Sequence, residues 1–213
     1  MRNAVIQKLK DDASFEPRII FDVGANIGQS AREFAKTWPN AYVISFEPIF
    51  ESFTRLSQLS QKFKNFRAER IAMSSASGQM TMLSRGTSQV NRILSPPSIL
   101  APPQSEALET VDCDTINNYC ANRDIDFIDF LKIDTEGHDL RVLSGSVGML
   151  HERRIDYVSV EISLTPDNRR HIAFDLALNF MGQFGYRVFG FFDLEQRDDK
   201  RGAAFGNTIF IRA

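Results

Sequence analysis

The stretch from Asp22 to Gly28 is the first place in the chain where residue types and spacing could do chemistry. It reads Asp-Val-Gly-Ala-Asn-Ile-Gly, with two glycines four positions apart after an aspartate. A dinucleotide-binding turn needs a middle glycine where the backbone approaches the pyrophosphate, and Asn26 stands there instead. The Gly-Lys-Ser/Thr of a Walker phosphate loop is also missing. The turn therefore favours a ligand without a pyrophosphate.

An acidic residue follows this turn at the distance expected for ribose recognition. Glu47 lies nineteen residues beyond Gly28, after the next apolar run. A carboxylate at the end of a second strand can accept hydrogen bonds from both ribose hydroxyls. S-adenosylmethionine fits, because it carries adenosine, a sulfonium cation and an amino-acid tail, and Asp22 suits its positive groups. Asp-x-Gly turns also occur as plain strand–helix connections, so the interpretation depends on Glu47.

A second group of polar residues follows the apolar run that ends at Ile133. Asp134, Glu136 and His138 are expected at the same edge of the sheet as Asp22 and Glu47. If the ligand is S-adenosylmethionine, methyl transfer requires alignment of the reactants, and a neutral hydroxyl acceptor would also have to lose its proton. These side chains are therefore the candidate catalytic residues.

Two mechanisms of hydroxyl activation are open for these residues. A divalent cation held by the carboxylates can activate the hydroxyl. Alternatively, Asp134 positions cofactor or acceptor while Glu136 or His138 takes the proton, and we favour this metal-free form, with no metal ligands assigned. Structural roles compete with both, since Asp134 can cap the next helix, Glu136 can complement its dipole, and His138 can be an exposed first-turn residue.

Three further acid–base residues have to be placed relative to the same edge of the sheet. His151 is expected to follow one helix and His171 to begin another, which leaves His138 as the histidine at this edge. Glu161 ends the fifth predicted strand. It either faces the acceptor or is a buried structural carboxylate.

Short apolar runs alternate with helical patterns along the chain, which is typical of a mostly parallel sheet with helices on both faces. No helical stripe separates the last two runs, so we expect an antiparallel hairpin there, with the charge run inside 193–206 as a solvated loop. The predicted strands are residues 19–23, 42–46, 66–73, 127–133, 155–162, 186–192 and 208–211. The predicted helical stripes are Ala31, Phe34, Ala35 and Trp38, then Phe53, Leu56, Leu59 and Phe63, then Leu140, Leu143, Val147 and Leu150.

Length and composition predict a single domain over residues 1–213. The chain is 43% hydrophobic, with an N-terminal extension at 1–17 and a Pro-rich insertion at 84–106 that is either a lid or disordered. A net charge of −2 favours no nucleic-acid partner. Without a signal-length or membrane-length apolar run, we expect a cytoplasmic protein. Cys113 and Cys120 are expected to be reduced structural thiols.

Four segments in the same order resemble the FkbM-type, S-adenosylmethionine-dependent methyltransferases: FDVGANIGQS, FEP, IAMSSASG and FLKIDTEGHDLRVLSG. The resemblance implies a Rossmann-like class I methyltransferase fold, α/β, with a seven-stranded sheet and an antiparallel last strand. The sequence departs from the pattern of the family at Asp139, a position where the family usually has Glu. The cofactor-binding residues that it implies are Asp22, Gly24, Ala25, Asn26, Gly28, Ser30, Glu47, Pro48, Ile71, Ala72 and Asp134.

By that resemblance the activity is O-methyl transfer from S-adenosylmethionine to a small-molecule hydroxyl, such as a sugar in a glycan or a natural-product scaffold. The Asp/Asn-Pro-Pro-Tyr/Phe segment common in enzymes that methylate nucleic-acid bases is absent, and IDTEG stands in its place. Two alternatives remain. A nicotinamide-dependent oxidoreductase is disfavoured by the missing middle glycine, and a non-catalytic nucleoside-binding module is mildly disfavoured by the carboxylates.

Overall fold

A central sheet covered by helices forms the framework of the protein. The structure is a computed structural model that describes residues 3–12, 15–84, 92–93, 107–168, 170–196 and 202–213. Its strands are β1 Ile19–Val23, β2 Tyr42–Phe46, β3 Phe66–Glu69, β4 Ala72–Met73, β5 Gly78–Ser84, β6 Arg92–Ile93, β7 Ala107–Asp114, β8 Ile128–Ile133, β9 Ile155–Ser163, β10 Ile172–Ala173, β11 Tyr186–Gln196 and β12 Ala203–Arg212. Its helices are α1 Asn3–Asp11, α2 Gln29–Thr37, α3 Phe50–Ser60, α4 Ile116–Ala121, α5 Asp139–Ser144, α6 Val147–His151 and α7 Phe174–Gly182.

The central sheet has the strand order β11-β12-β9-β8-β1-β2-β3, with the short β10 paired to β9. Neighbours from β9 to β3 are parallel, whereas β12 runs antiparallel to both β9 and β11. The predicted mostly parallel sheet with an antiparallel last strand is therefore confirmed, and the short β10 is an eighth strand beside the seven that were predicted. Sheets of this kind bind ligands at the carboxyl ends of their strands.

Apolar side chains alternate along the central strands, so each face of the sheet has its own core. Ile20 packs with Phe34 and Leu56 on the face covered by α1, α2 and α3. Phe21 packs with Tyr119 and Leu143 on the face covered by α4 to α7. Both layers exclude water, which supplies the main stabilisation of such a fold.

One row of residues paired across neighbouring strands, called a level of the sheet below, is polar although it is buried. Asp22 pairs with Ser45 and with Lys132, and Lys132 pairs with Ser159, in the register of four neighbouring strands. Residues paired in this way present their side chains on one face. The level two residues earlier on that face is wholly apolar and consists of Val43, Ile20, Phe130 and Tyr157.

Two predicted elements are divided in the structure. The predicted strand 66–73 breaks between β3 and β4, and β4 joins a second sheet of order β4-β7-β5-β6 that was not predicted. The stripe predicted as one helix forms α5 and α6 instead. The break falls at Gly145, where a Cβ atom would meet the backbone oxygen of Ser74 at 2.0 Å. That close approach fixes the end of α5.

The remaining expectations about the chain have mixed outcomes. The last two strands are longer than predicted and take up much of the expected loop, while its charge run at 197–201 lies outside the described residues. Most of the Pro-rich insertion, apart from Ser84 and β6, also lies outside them. Cys113 and Cys120 are buried and free. Within the described ranges, no helix is long and apolar enough to cross a membrane.

Candidate active site

A cavity of about 510 Å³ opens where β1, β2, β8 and β9 reach their carboxyl ends. This is the place where parallel α/β sheets bind small ligands. Its walls combine backbone of the first turn, the residues that follow β2 and β8, and side chains from β9 to β12. Among the lining residues are Val23, Gly24, Ala25, Asn26, Ser30, Glu47, Pro48, Ile71, Ala72, Lys132, Asp134, Glu136, His138, Glu161, Arg170, His171, Asp193, Glu195, Phe205 and Asn207.

The first turn is held tightly between β2 and the segment after β8. The backbone N–H groups of Gly24 and Ala25 both donate to the carbonyl oxygen of Phe46 at 3.0 Å. Gly24 has a φ of 78°, and a Cβ atom there would stand 1.9 Å from the carbonyl oxygen of Asp134. Glycine is therefore required at this position, because any side chain would force the two segments apart.

Glu47 is fixed by the same turn. Its two carboxylate oxygens accept hydrogen bonds of 3.0 Å from the backbone N–H groups of Asn26 and Ile49. The side chain is buried on the cavity wall. Burial raises the pKa of Glu47 to about 7, and the two N–H donors oppose this rise. The carboxylate is thus held rigidly at the end of β2, in the place predicted for ribose recognition.

Glu47 should give the free energy of unfolding a distinctive pH dependence. Its pKa rises from 4.5 to about 7 on folding, so between these values the folded protein holds a proton that the unfolded chain has released. Stability should therefore fall by roughly 1–3 kcal/mol as pH rises through this window, an effect absent from Glu47→Gln. Urea unfolding of both proteins between pH 4 and pH 8 measures the difference. If the free energies of unfolding of the two proteins changed with pH in parallel, the raised pKa of Glu47 would be contradicted.

Lys132 connects the first turn to the second group of polar residues. Its ammonium lies 3.0 Å from a carboxylate oxygen of Asp22 and 3.2 Å from one of Asp134. Burial alone would lower the pKa of Lys132, but the two carboxylates raise it above its usual value. Burial likewise raises the pKa of Asp134, and the Lys132 charge outweighs that effect and lowers it. Lys132 and Asp134 are therefore both charged at neutral pH.

Asp22 does not have the position expected of a cofactor ligand. Its side chain is 0% exposed and is absent from the cavity wall, because Lys132 covers its carboxylate. Gly28 also lies off the wall and precedes α2 with a φ of 90°. The other residues predicted to bind the cofactor line the cavity. Asp22 is thus connected to the cavity wall by its ion pair with Lys132.

The three predicted catalytic residues all line the cavity, and each has a protein partner. The guanidinium of Arg170 contacts both carboxylate oxygens of Glu136, one of them at 2.7 Å. His138 Nε2 lies 3.0 Å from the hydroxyl of Ser74. Burial, followed by the charge of Arg141, lowers the pKa of His138 to about 4. Asp134 does not cap the next helix, because α5 begins after His138 without a side-chain cap, and His138 is buried and not exposed.

The Asp139 position, where the family usually has Glu, is structural. Its carboxylate accepts hydrogen bonds of 2.9 Å from both the backbone N–H and the hydroxyl of Thr135. The side chain is buried, which raises its pKa to about 6. Asp139 thus closes the loop from Asp134 to α5 and does not line the cavity.

Sequence reasoning missed several residues of the cavity wall. His171 was expected to start a helix away from the site, but it lines the cavity with Nε2 3.0 Å from a carboxylate oxygen of Glu161. Arg170 and Lys132 were not singled out. Lys132 had a local signal, since it is a charged residue inside an apolar strand pattern, whereas the loop that brings Arg170 and His171 to the cavity had none.

The disfavoured metal-dependent mechanism would need a set of ligands at this site. Among the residues that the structure describes, no three His, Cys, Asp or Glu side chains are grouped so that they could hold a metal ion. The metal-free mechanism stays a prediction.

Residues 22–188 match the protein family described as the methyltransferase FkbM domain. The match covers more than half of the chain and includes both groups of polar residues. The chain belongs to the FkbM methyltransferase family. The predicted family, and with it the methyltransferase class, is therefore confirmed.

A curated relative of this FkbM chain is the hexuronic acid methyltransferase AglP of Haloferax volcanii, 28% identical over 164 residues. The match covers 74% of the chain but only 61% of that relative. Similar solved structures include the magnesium protoporphyrin IX methyltransferase ChlM of Synechocystis with bound S-adenosylmethionine. That structure has a TM-score of 0.57 at 10% identity, over 99% of this chain and 77% of ChlM.

A second similar structure is an rRNA methylase from Streptococcus thermophilus. Its TM-score is 0.55 at 10% identity, and the match covers 100% of this chain and 97% of that one. At such low identity, both structures establish the class I methyltransferase fold of this FkbM chain and nothing about its acceptor.

Proposed function

We propose that this protein transfers a methyl group from S-adenosylmethionine to a hydroxyl of a small molecule, a sugar or a related scaffold. The observation that carries the proposal is the rigid Glu47 carboxylate at the end of β2, bound to the turn after β1 on the wall of one cavity. The FkbM family supports the methyltransferase class, and the hexuronic acid specificity of the Haloferax relative supports a sugar acceptor.

The residues of the cavity fit this cofactor chemically. Glu47 offers a carboxylate to the ribose hydroxyls, and the backbone from Gly24 to Asn26 has no bulky side chain that would block adenosine. Asp134, whose pKa is lowered, keeps a negative charge near the cationic groups. When bound, S-adenosylmethionine supplies an electrophilic methyl group on its sulfonium. The protein then has to hold the acceptor in line and take its proton.

Calorimetric titration with S-adenosylmethionine, S-adenosylhomocysteine and NAD tests the cofactor class. We expect the first two to bind and NAD to give no heat of binding. A tritiated methyl donor then tests transfer to two probes, methyl glucoside and methyl glucuronide. NAD binding without S-adenosylhomocysteine binding would favour an oxidoreductase. S-adenosylhomocysteine binding with no transfer to either probe would favour a non-catalytic nucleoside-binding module.

Glu47→Ala should weaken binding of S-adenosylhomocysteine by roughly 1–3 kcal/mol, because a charged acceptor of hydrogen bonds is lost. Calorimetry measures the change. The matched control is Glu51→Ala on α3, since that side chain is 55% exposed and lies off the cavity wall. A folded Glu47→Ala protein with wild-type affinity would remove Glu47 from the ribose site.

A further inference from the structure

The carboxylates predicted to act as bases are both neutralised by cations. Lys132 lies 3.2 Å from Asp134 and makes that carboxylate a weak base. Arg170 contacts both oxygens of Glu136, so each of them already accepts from a charged donor. A general base must reach the acceptor hydroxyl with an oxygen or nitrogen that can take a proton. Both carboxylates are thus engaged by a cation, which makes a carboxylate without such a partner the better candidate.

The Nε2 atom of His138 already has a partner. It lies 3.0 Å from the Ser74 hydroxyl, and burial lowers the pKa of the ring to about 4. A carboxylate elsewhere on the same wall is therefore the alternative base.

Glu161 is a carboxylate on the cavity wall with a different kind of partner. One of its oxygens lies 3.0 Å from Nε2 of His171, and in the described part of the chain no Arg or Lys is paired with it. Glu161 is at the carboxyl end of β9, on the side of the cavity formed by β9 and β12. Its side chain is 19% exposed, so the cavity can reach it while bulk water is largely excluded.

The hydrogen bonds around His171 determine which ring nitrogen carries the proton. The side-chain oxygen of Asn168 accepts from the backbone N–H groups of Arg170 at 2.9 Å and of His171 at 3.4 Å. The amide nitrogen of Asn168 therefore faces His171 Nδ1, 3.0 Å away, and donates to it. Nδ1 is then the acceptor, and Nε2 carries the proton that is donated to Glu161.

We propose that Glu161 is the general base of this methyltransferase and that His171 is the positioning residue that orients it. The inference rests on the proposed function. The acceptor oxygen forms a bond to the methyl carbon, the carbon–sulfur bond breaks, and its electron pair stays on sulfur. The hydroxyl proton moves to the Glu161 oxygen that does not contact His171. The Nε2–H donor holds the other oxygen and thereby aims the carboxylate.

Steady-state kinetics with tritiated methyl donor and the two glycoside probes tests the base. Glu161→Gln keeps the shape and accepts the same hydrogen bond, so kcat should fall about 10²–10⁴-fold while KM and S-adenosylhomocysteine affinity stay within about twofold. The matched control Glu51→Gln should retain wild-type kcat. A wild-type kcat in Glu161→Gln would overturn the inference and leave the proposed function intact.

The positioning role of His171 has two readouts that a purely structural role would not change. In His171→Gln kcat should fall by about 10–100-fold while KM stays within about twofold, because the carboxylate is no longer aimed at the acceptor; His151→Gln serves as control. Nitrogen-15 NMR of labelled histidine should show the His171 proton on Nε2 in the wild type. A proton on Nδ1, or a wild-type kcat in His171→Gln, would overturn the positioning role.

The two levels of the proposal fail in distinguishable ways. A wild-type protein that does not bind S-adenosylhomocysteine, or that methylates neither probe, overturns the proposed function and the inference with it. A wild-type protein that methylates a probe while Glu161→Gln does so equally well overturns the inference alone.

Discussion

Gly24→Ala should destabilise the protein by roughly 3–5 kcal/mol, through backbone strain together with overpacking. Gly24 has a φ of 78°, and its added Cβ would stand 1.9 Å from the carbonyl oxygen of Asp134. Neither group can rotate away, because both belong to backbone hydrogen-bonded within the central sheet. The turn after β1 and the segment after β8 would have to separate. Affinity for S-adenosylhomocysteine should fall as well, since both segments line the cavity.

Gly185→Ala is the matched control for this change. Gly185 has a φ of 75°, almost the same backbone conformation, but a Cβ atom there would meet nothing within 4 Å. It should cost only the left-handed strain of ~1–2 kcal/mol. Urea unfolding of both variants separates strain from clash. Equal losses of stability in the two variants would show that the close approach to Asp134 has no energetic importance.

Lys132→Met should destabilise the protein by about 3–5 kcal/mol, because removing one member of a buried charge cluster leaves the others uncompensated. Lys132 is 3% exposed and Asp22 is 0% exposed. Without the ammonium, two carboxylates remain close together in a poorly solvated place. The pKa of Asp134 should rise, and the cofactor affinity that depends on its charge should fall.

A control and a double variant test whether the loss of stability in Lys132→Met comes from the buried charges. Lys62→Met removes an exposed lysine near the end of α3 and should leave stability within about 0.5 kcal/mol of the wild type. Adding Asp22→Asn to Lys132→Met should recover part of the loss, because one uncompensated charge is then removed. Urea unfolding of the single and double variants measures the coupling. Additive losses would mean that Lys132 and Asp22 do not interact.

The central strands were predictable because their signal is local. The runs 19–23 and 42–46 are apolar apart from Asp22 and Ser45, and they form β1 and β2 within the predicted bounds. The second sheet was missed although Met80, Met82, Val111 and Cys113 alternate inwards along β5 and β7. Its strands adjoin the Pro-rich insertion, and their period-two pattern is too short to stand out beside that irregular composition.

The candidate active site likewise contains residues that the sequence predicted and residues that it did not. The residues placed by strand ends, Glu47 and Asp134, were found because parallel strands bring their carboxyl ends together. The cations that pair with the carboxylates of the site, Lys132 and Arg170, were not predicted. Whether Glu136 faces a cofactor or an arginine depends on the loop that places Arg170 beside it, which is 34 residues away in sequence. Contacts of that range follow from tertiary packing, which local patterns do not encode.

The buried polar level of the sheet has a consequence for how the strands find their partners. Sliding β8 against β1 by one residue would turn Lys132 towards the other, apolar face. Sliding it by two would set Asp22 beside Phe130 and move the two charges about 7 Å apart along the strands. Apolar levels such as that of Ile20 tolerate such slips more easily, since one aliphatic neighbour resembles another. The ion pair between Asp22 and Lys132 thus helps to select the correct register of β1 and β8 during folding.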